Sequence, residues 1–250
     1  MKMDFSKILF RASGVGNLMI GSQKIKNQSD ECFYTDFKSI GETTKKYLTA
    51  VMISKIYGRD KELMNKYVQK GIMVEEESIT LYSRFSGKFF SKNYAHLQDD
   101  YTTGTPDLFE GQDILRAKKI TDIKSSYDIY TFWNAKRNDL NMMYYWQLQT
   151  YMSLTGAQES ELAYCLVDKP ETIIEGEKRR FMWDAGIKGE DEYNHEAFEM
   201  IEKLAHYDDI PINERIYIIK ILRNEEDIER LHRRIILTRQ WMNIEFNKND

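Results

Sequence analysis

The sequence predicts an α/β protein with a central mixed β-sheet flanked by helices. Helical patterns occupy the first part of the chain, a predicted strand hairpin follows, and helix, strand and helix patterns then alternate. The 250 residues are enough for one sizeable core, and no stretch rich in Pro, Gly or Ser divides them. We therefore predict a single domain over residues 1–250, with a motif-bearing core at about 10–168 and a C-terminal strand and helix at 210–246.

Apolar spacing and capping residues predict the elements. Helices are expected at 41–58, 61–82, 140–154, 195–206 and 224–246. Strands are expected at 101–109, 114–123, 161–167 and 215–222. A tight turn at Glu110-Gly111 joins the first two strands, and Ser13 is expected to cap a helix. The segment 171–192 is charged and contains glycine, which predicts a loop or irregular hairpin.

Composition excludes several classes of protein. The chain is 30% charged and 42% hydrophobic with net charge −4, which is typical of a globular protein and argues against one that coats nucleic acid. The first ten residues lack a signal-peptide core and no apolar run reaches the ~20 residues of a membrane span, so we expect a cytoplasmic protein. Cys32 and Cys165 cannot form a four-thiolate iron–sulfur cluster. The four histidines lack the spacing of a zinc site.

The predicted hairpin places charge on a buried surface. Asp122 and Lys124 are two residues apart on one strand, so they share a face while Ile123 points to the other. The preceding strand brings Asp107 close to Asp122. Neighbouring carboxylates repel unless a cation or proton lies between them, and oxygen ligands suit Mg²⁺ or Mn²⁺. The alternative is a cross-strand cluster neutralised by Lys124, which is the better interpretation of the tripeptide DIK taken alone.

A third acid interrupts the apolar stripe of the predicted helix 61–82. The residues at helical spacing are Met64, Val68, Ile72, Glu75, Ile79 and Tyr82. A glutamate on a core-facing stripe is costly unless it is protonated, paired or bound to metal. We therefore expect Glu75 to join Asp107 and Asp122.

The helix 140–154 adds a polar pair to an aromatic stripe. Gln147 and Tyr151 are one turn apart and face the same way, so both can bind a phosphate or a lysine. The aromatic residues before them, Tyr144, Tyr145 and Trp146, are interpreted as packing on the sheet.

Together these residues resemble the PD-(D/E)XK nucleases, and within them the phage lambda exonuclease and YqaJ-type viral recombinase group. The match runs through 11-RAS-13, 71-GIMVEEESITLY-82, 104-GTPD-107, 122-DIK-124 and 147-QLQTY-151. The PD and DxK pair alone is a weak signal, but the helix Glu and the QxxxY make the combination specific. The resemblance implies a restriction-endonuclease-like core.

The resemblance also implies metal-binding positions. Glu75 matches the acid of the first core helix, while Asp107 and Asp122 match the acids of the hairpin, and Ile123 is counted with them. The chain has Asp122 where Glu is commoner, a change that preserves a metal-binding carboxylate. The cofactor implied is Mg²⁺ or Mn²⁺, as two ions, with no iron–sulfur cluster.

Further roles follow for the remaining matched residues. Lys124 matches the lysine that orients or activates water, and Gln147 and Tyr151 match the catalytic QxxxY. Arg11 and Ser13 lie where these exonucleases have a segment that approaches the DNA end.

The function implied is that of a metal-dependent DNA exonuclease, which resects duplex ends in the 5′-to-3′ direction for phage-type recombination. The implied partners are double-stranded DNA ends, a single-strand annealing protein and further copies of the chain in a ring, with no membrane. Two alternatives remain open: a structure-selective or restriction-like endonuclease, and a non-catalytic DNA-binding protein on the same fold. A phage-encoded protein of this kind would act in the cytoplasm of a bacterial host.

Overall fold

The computed structural model describes residues 3–21, 30–60, 65–187 and 192–248. The α-helices in these ranges are α1 Asp30–Thr35, α2 Glu42–Tyr57, α3 Lys66–Met73, α4 Glu75–Ser86, α5 Ile129–Arg137, α6 Met142–Thr155, α7 Glu171–Ala185, α8 Glu192–Lys203 and α9 Glu225–Glu245. The strands are β1 Phe10–Arg11, β2 Leu97–Gln98, β3 Thr102–Gly104, β4 Leu108–Glu110, β5 Lys119–Ser125, β6 Glu159–Cys165 and β7 Ile216–Leu222. None of the described helices combines the length and apolarity needed to cross a membrane.

The strands form two mixed sheets. The larger sheet has the order β4-β5-β6-β7, in which β5 and β6 are parallel and the outer pairs are antiparallel. The smaller sheet has the order β1-β3-β2, with β1 parallel to β3. Helices flank these sheets, so the predicted α/β class with a central mixed sheet is confirmed.

Each face of the larger sheet packs against a different helix. On one face, Ile123 of β5 belongs to an apolar cluster with Ile79 and Tyr82 of α4. On the other face, Ile120 of β5 packs with Leu148 of α6. Because side chains alternate along a strand, Asp122 and Lys124 lie on the α6 side.

The C-terminal helix α9 ties the amino-terminal segment into a second core region. Ile235 of α9 packs with Phe10 and Leu48. Arg234 is fully buried, and its guanidinium donates to the main-chain oxygens of Leu18, at 2.8 Å, and Ser39, at 3.0 Å. A buried arginine is tolerated when carbonyl oxygens satisfy its donors, so this residue fixes α9 to the loops before α2.

Most of the predicted elements are confirmed. These are the helices at 41–58, 140–154, 195–206 and 224–246 and the strands at 161–167 and 215–222. Gly58 and Gly156 end their helices with positive φ, and the Asn224 side chain caps α9 by accepting from the Asp227 main-chain N.

The predicted helix 61–82 is wrong as a single element. Residues 61–64, and with them Met64, lie outside the described residues, and the rest divides into α3 and α4. Val74 separates the two helices with φ −112° and ψ 21°. Val68 and Ile72 are 39% and 69% exposed, so this half of the expected stripe does not enter the core.

The predicted hairpin has a longer connection between its strands than expected, and its first strand is interrupted. The strand expected at 101–109 is split into β3 and β4, which belong to different sheets, with Pro106 between them. The tight turn at Glu110-Gly111 is also wrong, because a 3-10 helix at Ile114–Arg116 lies between β4 and β5. The Asp113 side chain caps that helix by accepting from the Leu115 main-chain N at 3.0 Å.

The loop expected at 171–192 is wrong, because most of this segment is the helix α7; residues 188–191 lie outside the described ranges. Ion pairs hold α7 in place: Lys169 with Glu177 at 2.9 Å, and Lys178 with Glu202 at 2.6 Å. The expected cap at Ser13 is also wrong, since Ser13 lies inside a 3-10 helix at Ala12–Asn17.

Candidate functional site

A cavity of about 590 Å³ opens where α3 and the first turn of α4 meet β5 and α6. Its lining includes six of the nine expected site residues: Glu75, Asp107, Asp122, Ile123, Lys124 and Gln147. Aromatic rings contribute the apolar part of the wall, among them Tyr127, Tyr144 and Tyr164. The cavity therefore combines convergent charged groups with apolar surface, which is typical of a ligand site.

The pairing of β4 with β5 brings the two aspartates together. Leu108 pairs with Thr121, so the residue before Leu108 lies beside Asp122. Asp107 Oδ2 accepts a hydrogen bond from the Ile123 main-chain N at 2.7 Å. The turn that carries Asp107 is held in place by Asn93, which donates to the carbonyl oxygens of Pro106 and Asp107, both at 2.8 Å.

The cluster of Asp107, Asp122 and Lys124 contains two acids and one lysine. Asp122 is 1% exposed, and its Oδ2 lies 2.6 Å from Lys124 Nζ without a well-directed hydrogen bond in the described residues. Desolvation and the neighbouring Asp122 raise the pKa of Asp107 to about 7. Burial opposes the charged form of Lys124, but the two aspartates outweigh it and raise the pKa of Lys124. Two carboxylates thus share one ammonium group.

Glu75 lies in the same cavity but has a separate partner. It is the first residue of α4, and its carboxylate forms an ion pair with Lys92. Across the described part of the chain, no three His, Cys, Asp or Glu side chains lie close enough together to hold a metal ion. The three acids expected to converge therefore share a cavity, with Glu75 set apart from the two aspartates.

The donor set nevertheless fits a hard divalent cation. Oxygen ligands are what Mg²⁺ and Mn²⁺ prefer, and Asp107 and Asp122 supply neighbouring carboxylates. Asp122 Oδ2 is a buried acceptor that lacks a hydrogen bond, as noted above. An added positive charge beside this atom would lower the pKa of Asp107 and relieve the repulsion between the aspartates.

Gln147 and Tyr151 form a chain of hydrogen bonds behind Asp122. Gln147 Nε2 donates to Asp122 Oδ1 at 3.0 Å and to the Tyr151 hydroxyl at 3.1 Å. Tyr151 does not line the cavity; a Cβ placed on Gly104 would lie 2.8 Å from its ring, so the close approach requires glycine there. Gln147 therefore contacts the acid directly, while Tyr151, packed against Gly104 of β3, accepts the second hydrogen bond of Gln147.

Arg11 and Ser13 lie outside the cavity lining. Both are exposed, and Arg11 Nη2 is 3.5 Å from Asp60 Oδ2. Arg11 pairs with Thr103 across the smaller sheet, and only a short connection separates β3 from Asp107. The segment 11–13, which is expected to meet a DNA end, therefore lies beside β3, the strand that precedes Asp107 of the cavity.

Several cavity residues were missed in the sequence. Tyr144 packs on the sheet as expected, beside Tyr164 of β6, but it also lines the cavity, and its ring centroid lies 4.9 Å from Lys124 Nζ. Its position three residues before Gln147 on one helix was the signal for a shared face. Tyr145 also donates to Asp227 at 2.5 Å. Trp146 is buried, but in the apolar cluster of α9 and the amino-terminal segment and not on the sheet as expected. Lys92, which does not line the cavity but pairs with Glu75, had no sequence signal, since it lies in an irregular segment.

No protein-family model matches the chain. No curated protein sequence matches it either.

The fold, however, is similar to that of solved structures. A phage-related exonuclease from Haemophilus somnus 129PT matches with a TM-score of 0.72 and 21% identity, over 98% of this chain and 97% of that one. The alkaline exonuclease LHK-Exo from Laribacter hongkongensis matches with a TM-score of 0.58 and 15% identity, over 98% and 93% of the two chains. LHK-Exo in complex with dAMP gives a TM-score of 0.58 and 15% identity, over 96% and 92%. The chain therefore has the fold of the phage-related and alkaline exonucleases, as its resemblance to the lambda exonuclease group implied.

Proposed function

We propose that the chain is a metal-dependent DNA exonuclease that hydrolyses phosphodiester bonds at the ends of duplex DNA. The observation that carries the proposal is the cluster of Asp107, Asp122 and Lys124 on the wall of the cavity, in which Asp122 is buried and bonded to Gln147. The fold it shares with two exonucleases, one of them solved with dAMP, supports the same conclusion. A cluster of this composition suits a phosphodiester, whose hydrolysis needs both acids and a cationic donor.

Asp107 and Asp122 are the residues that would hold the divalent ions, with Glu75 and the Ile123 position beside them in the cavity. When bound, the ions would neutralise charge on the phosphate and favour the hydroxide form of an attacking water. Gln147 donates a hydrogen bond to Asp122 Oδ1, and the other carboxylate oxygen, Oδ2, lies next to Lys124. The amide thus fixes the orientation of the carboxylate.

Lys124 acts as a donor in this proposal. In the metal-free protein the two aspartates raise the pKa of Lys124, so its side chain is a charged donor beside the acids. An ammonium group beside the acids can orient water and stabilise the negative charge that develops on the phosphoryl oxygens. The Tyr144 ring below Nζ restricts where that group can lie.

The finer parts of the proposal come from the resemblance to the lambda exonuclease group. They are 5′-to-3′ digestion, a role in phage-type recombination with a single-strand annealing protein, and assembly of the chain into a ring. The net charge of −4 is compatible with this arrangement if basic groups are concentrated along a DNA channel.

The test is digestion of linear and closed circular duplex DNA with Mg²⁺, with and without EDTA. Asp122→Ala is the blank, because it removes the most deeply buried acid of the cavity. The expected result is loss of the linear DNA alone, dependent on both metal and Asp122.

Cutting of the circular DNA would instead assign the chain to the endonucleases. If neither DNA is cut with any divalent ion, but duplex DNA still binds, the chain is a DNA-binding protein on this fold.

A further inference from the structure

Lys92 is a second cation beside the acids of the cavity, on a segment to which no role has been assigned. Its ammonium group pairs with Glu75, the acid that stands apart from Asp107 and Asp122. Both side chains are partly exposed, at 30% for Lys92 and 24% for Glu75, so the pair lies at the solvent edge. Lys92 Nζ is also 5.7 Å from the ring of Tyr94, which is 77% exposed.

The residue after Lys92 is fixed to the turn that carries Asp107. Asn93 is 7% exposed, and its main-chain N donates to the Asp107 carbonyl oxygen at 2.8 Å. Its side-chain Nδ2 donates to the Pro106 carbonyl oxygen at 2.8 Å. Because these bonds anchor the main chain at position 93, Lys92 is held next to the acids by the fold itself.

We propose that Lys92 exchanges partners during substrate binding: it holds Glu75 until a divalent cation takes this carboxylate, and then binds a phosphate of the DNA. The proposal rests on the metal-dependent nuclease function proposed above. An ammonium group and a divalent ion compete for the same carboxylate oxygens, and the lysine that is released lies at the edge of the cavity. A DNA backbone entering the cavity supplies the nearest alternative negative charge.

The exchange has a thermodynamic consequence. If metal binding frees Lys92 for DNA, bound metal raises the affinity of the protein for DNA, and bound DNA raises its affinity for metal by the same factor. Removing Lys92 should therefore have opposite effects on the two ligands. Metal alone should bind more tightly, since Glu75 is free, while DNA should lose one phosphate contact that forms only when metal is present.

The first experiment is calorimetric titration of Mn²⁺ into the DNA-free protein for wild type, Lys92→Met and Lys88→Met. Lys88 is a matched control, because it lies on the same segment and pairs with a glutamate, Glu110 at 2.7 Å, that does not line the cavity. We expect Lys92→Met to bind Mn²⁺ about three- to tenfold more tightly, because one positive charge beside the acids is lost. Lys88→Met and Lys92→Arg should match wild type.

The second experiment measures duplex DNA binding by fluorescence anisotropy at several salt concentrations. All proteins carry Lys124→Ala, and a gel confirms that the duplex stays intact. With Mn²⁺, Lys92→Met should lower the slope of log affinity against log salt by about one unit, as expected for one lost phosphate contact. In EDTA the slope should not change, because Lys92 is then paired with Glu75.

A structural role for Lys92 would weaken Mn²⁺ binding or leave it unchanged, and either result overturns the exchange. If Lys92→Met lowers the slope of log DNA affinity against log salt by the same amount with and without Mn²⁺, the exchange is overturned as well. Wild type that binds no Mn²⁺ would overturn the exchange and the metal-dependent function together. If instead wild type binds Mn²⁺ and digests linear DNA, but Lys92→Met has unchanged Mn²⁺ affinity, the proposed nuclease function stands without the exchange.

Discussion

Strand β5 carries two clusters of buried charge, one on each face of the sheet, and they are balanced differently. The Lys119 cluster consists of Lys119, Glu110, Glu161 and Tyr82. Lys119 Nζ lies 3.2 Å from Glu161 Oε2 and 3.8 Å from Glu110 Oε2, and Glu110 also pairs with Lys88. The Tyr82 hydroxyl donates to Glu161 at 2.6 Å. Each acid in this cluster has a lysine partner.

The cavity cluster consists of Asp107, Asp122, Lys124 and Gln147. Two acids share one lysine here, Asp122 Oδ2 lacks a well-directed hydrogen bond, and the pKa of Asp107 is raised to about 7. Glu75 adds a third acid to the same cavity, paired with Lys92.

We infer that the charged groups of the Lys119 cluster stabilise the fold, whereas those of the cavity cluster bind a ligand. The Lys119 cluster satisfies its own groups, so its members should matter for stability and not for cleavage. The cavity cluster has an excess of negative charge next to open space, which lowers stability unless a cation joins it. Substitutions on the two faces of one strand can therefore test the assignment.

The largest effect is expected from Lys124→Ala. Loss of the donor beside the acids should reduce cleavage of linear DNA about 10²- to 10⁴-fold while leaving folding and DNA binding largely intact. The measurement is initial-rate digestion, with circular dichroism and anisotropy as checks on fold and binding. Retained cleavage would remove Lys124 from the mechanism.

A smaller effect, on stability and not on activity, is expected from Lys119→Met. Removing one partner leaves Glu161, whose side chain is 9% exposed, without its lysine. Because Lys119 itself is 17% exposed, we expect a loss of about 2–3 kcal/mol in the free energy of unfolding by urea.

The double variant Lys119→Met with Glu161→Gln is the control for this prediction. It should lose less stability than the sum of the two single variants, because the double variant removes both charges whereas each single variant leaves one without its partner. A folded Lys119→Met protein that no longer cleaves DNA would contradict the division between the two clusters.

The pH dependence of stability without metal should come from the cavity cluster. The pKa of Asp107 is raised from 3.8 to about 7 in the folded protein, so the folded state binds more protons than the unfolded state between these values. Its contribution to the free energy of unfolding is therefore present below about pH 4 and is lost as pH rises to about 7. Urea titrations in EDTA from pH 4 to 8 measure this contribution as the difference between wild type and Asp107→Asn. A difference that does not change with pH would contradict the raised pKa.

Local patterns predicted the centre of the molecule better than its connections. Helix α6, strand β6 and helix α9 have clear apolar spacing and capping residues, so their positions followed from the sequence. Asp107, Asp122 and Lys124 also lie together as the strand pairing implied.

The errors have identifiable physical reasons. Gly71 is three residues before the break at Val74 but lies inside α3, so no Pro or Gly stands at the break itself to mark it in the sequence. Pro106 did give a signal, because proline rarely lies inside a strand, and the split between β3 and β4 could have been predicted. Helix α7 packs through the fully buried Ile174, and its Lys178 pairs with Glu202 of α8, 24 residues later. Partners this distant in sequence are not visible in a local pattern.

The placement of Glu75 beside Lys92 could not be predicted for the same reason. The apolar stripe expected at 61–82 requires one continuous helix, whereas Glu75 begins a new helix at the edge of the cavity. Its partner lies 17 residues later in an irregular segment.

The central claim is that the cavity cluster is completed by a divalent cation, and unfolding of Asp107→Asn with and without Mg²⁺ tests it most directly. Asn can still accept the hydrogen bond from the Ile123 main-chain N, but it carries no charge. At pH 8 in EDTA, we expect Asp107→Asn to be more stable than wild type by about 1–3 kcal/mol, because the repulsion with Asp122 is removed. With saturating Mg²⁺ the order should reverse, since the ion stabilises wild type alone. A variant that is less stable in EDTA, or that gains as much stability from Mg²⁺ as wild type does, would contradict the claim.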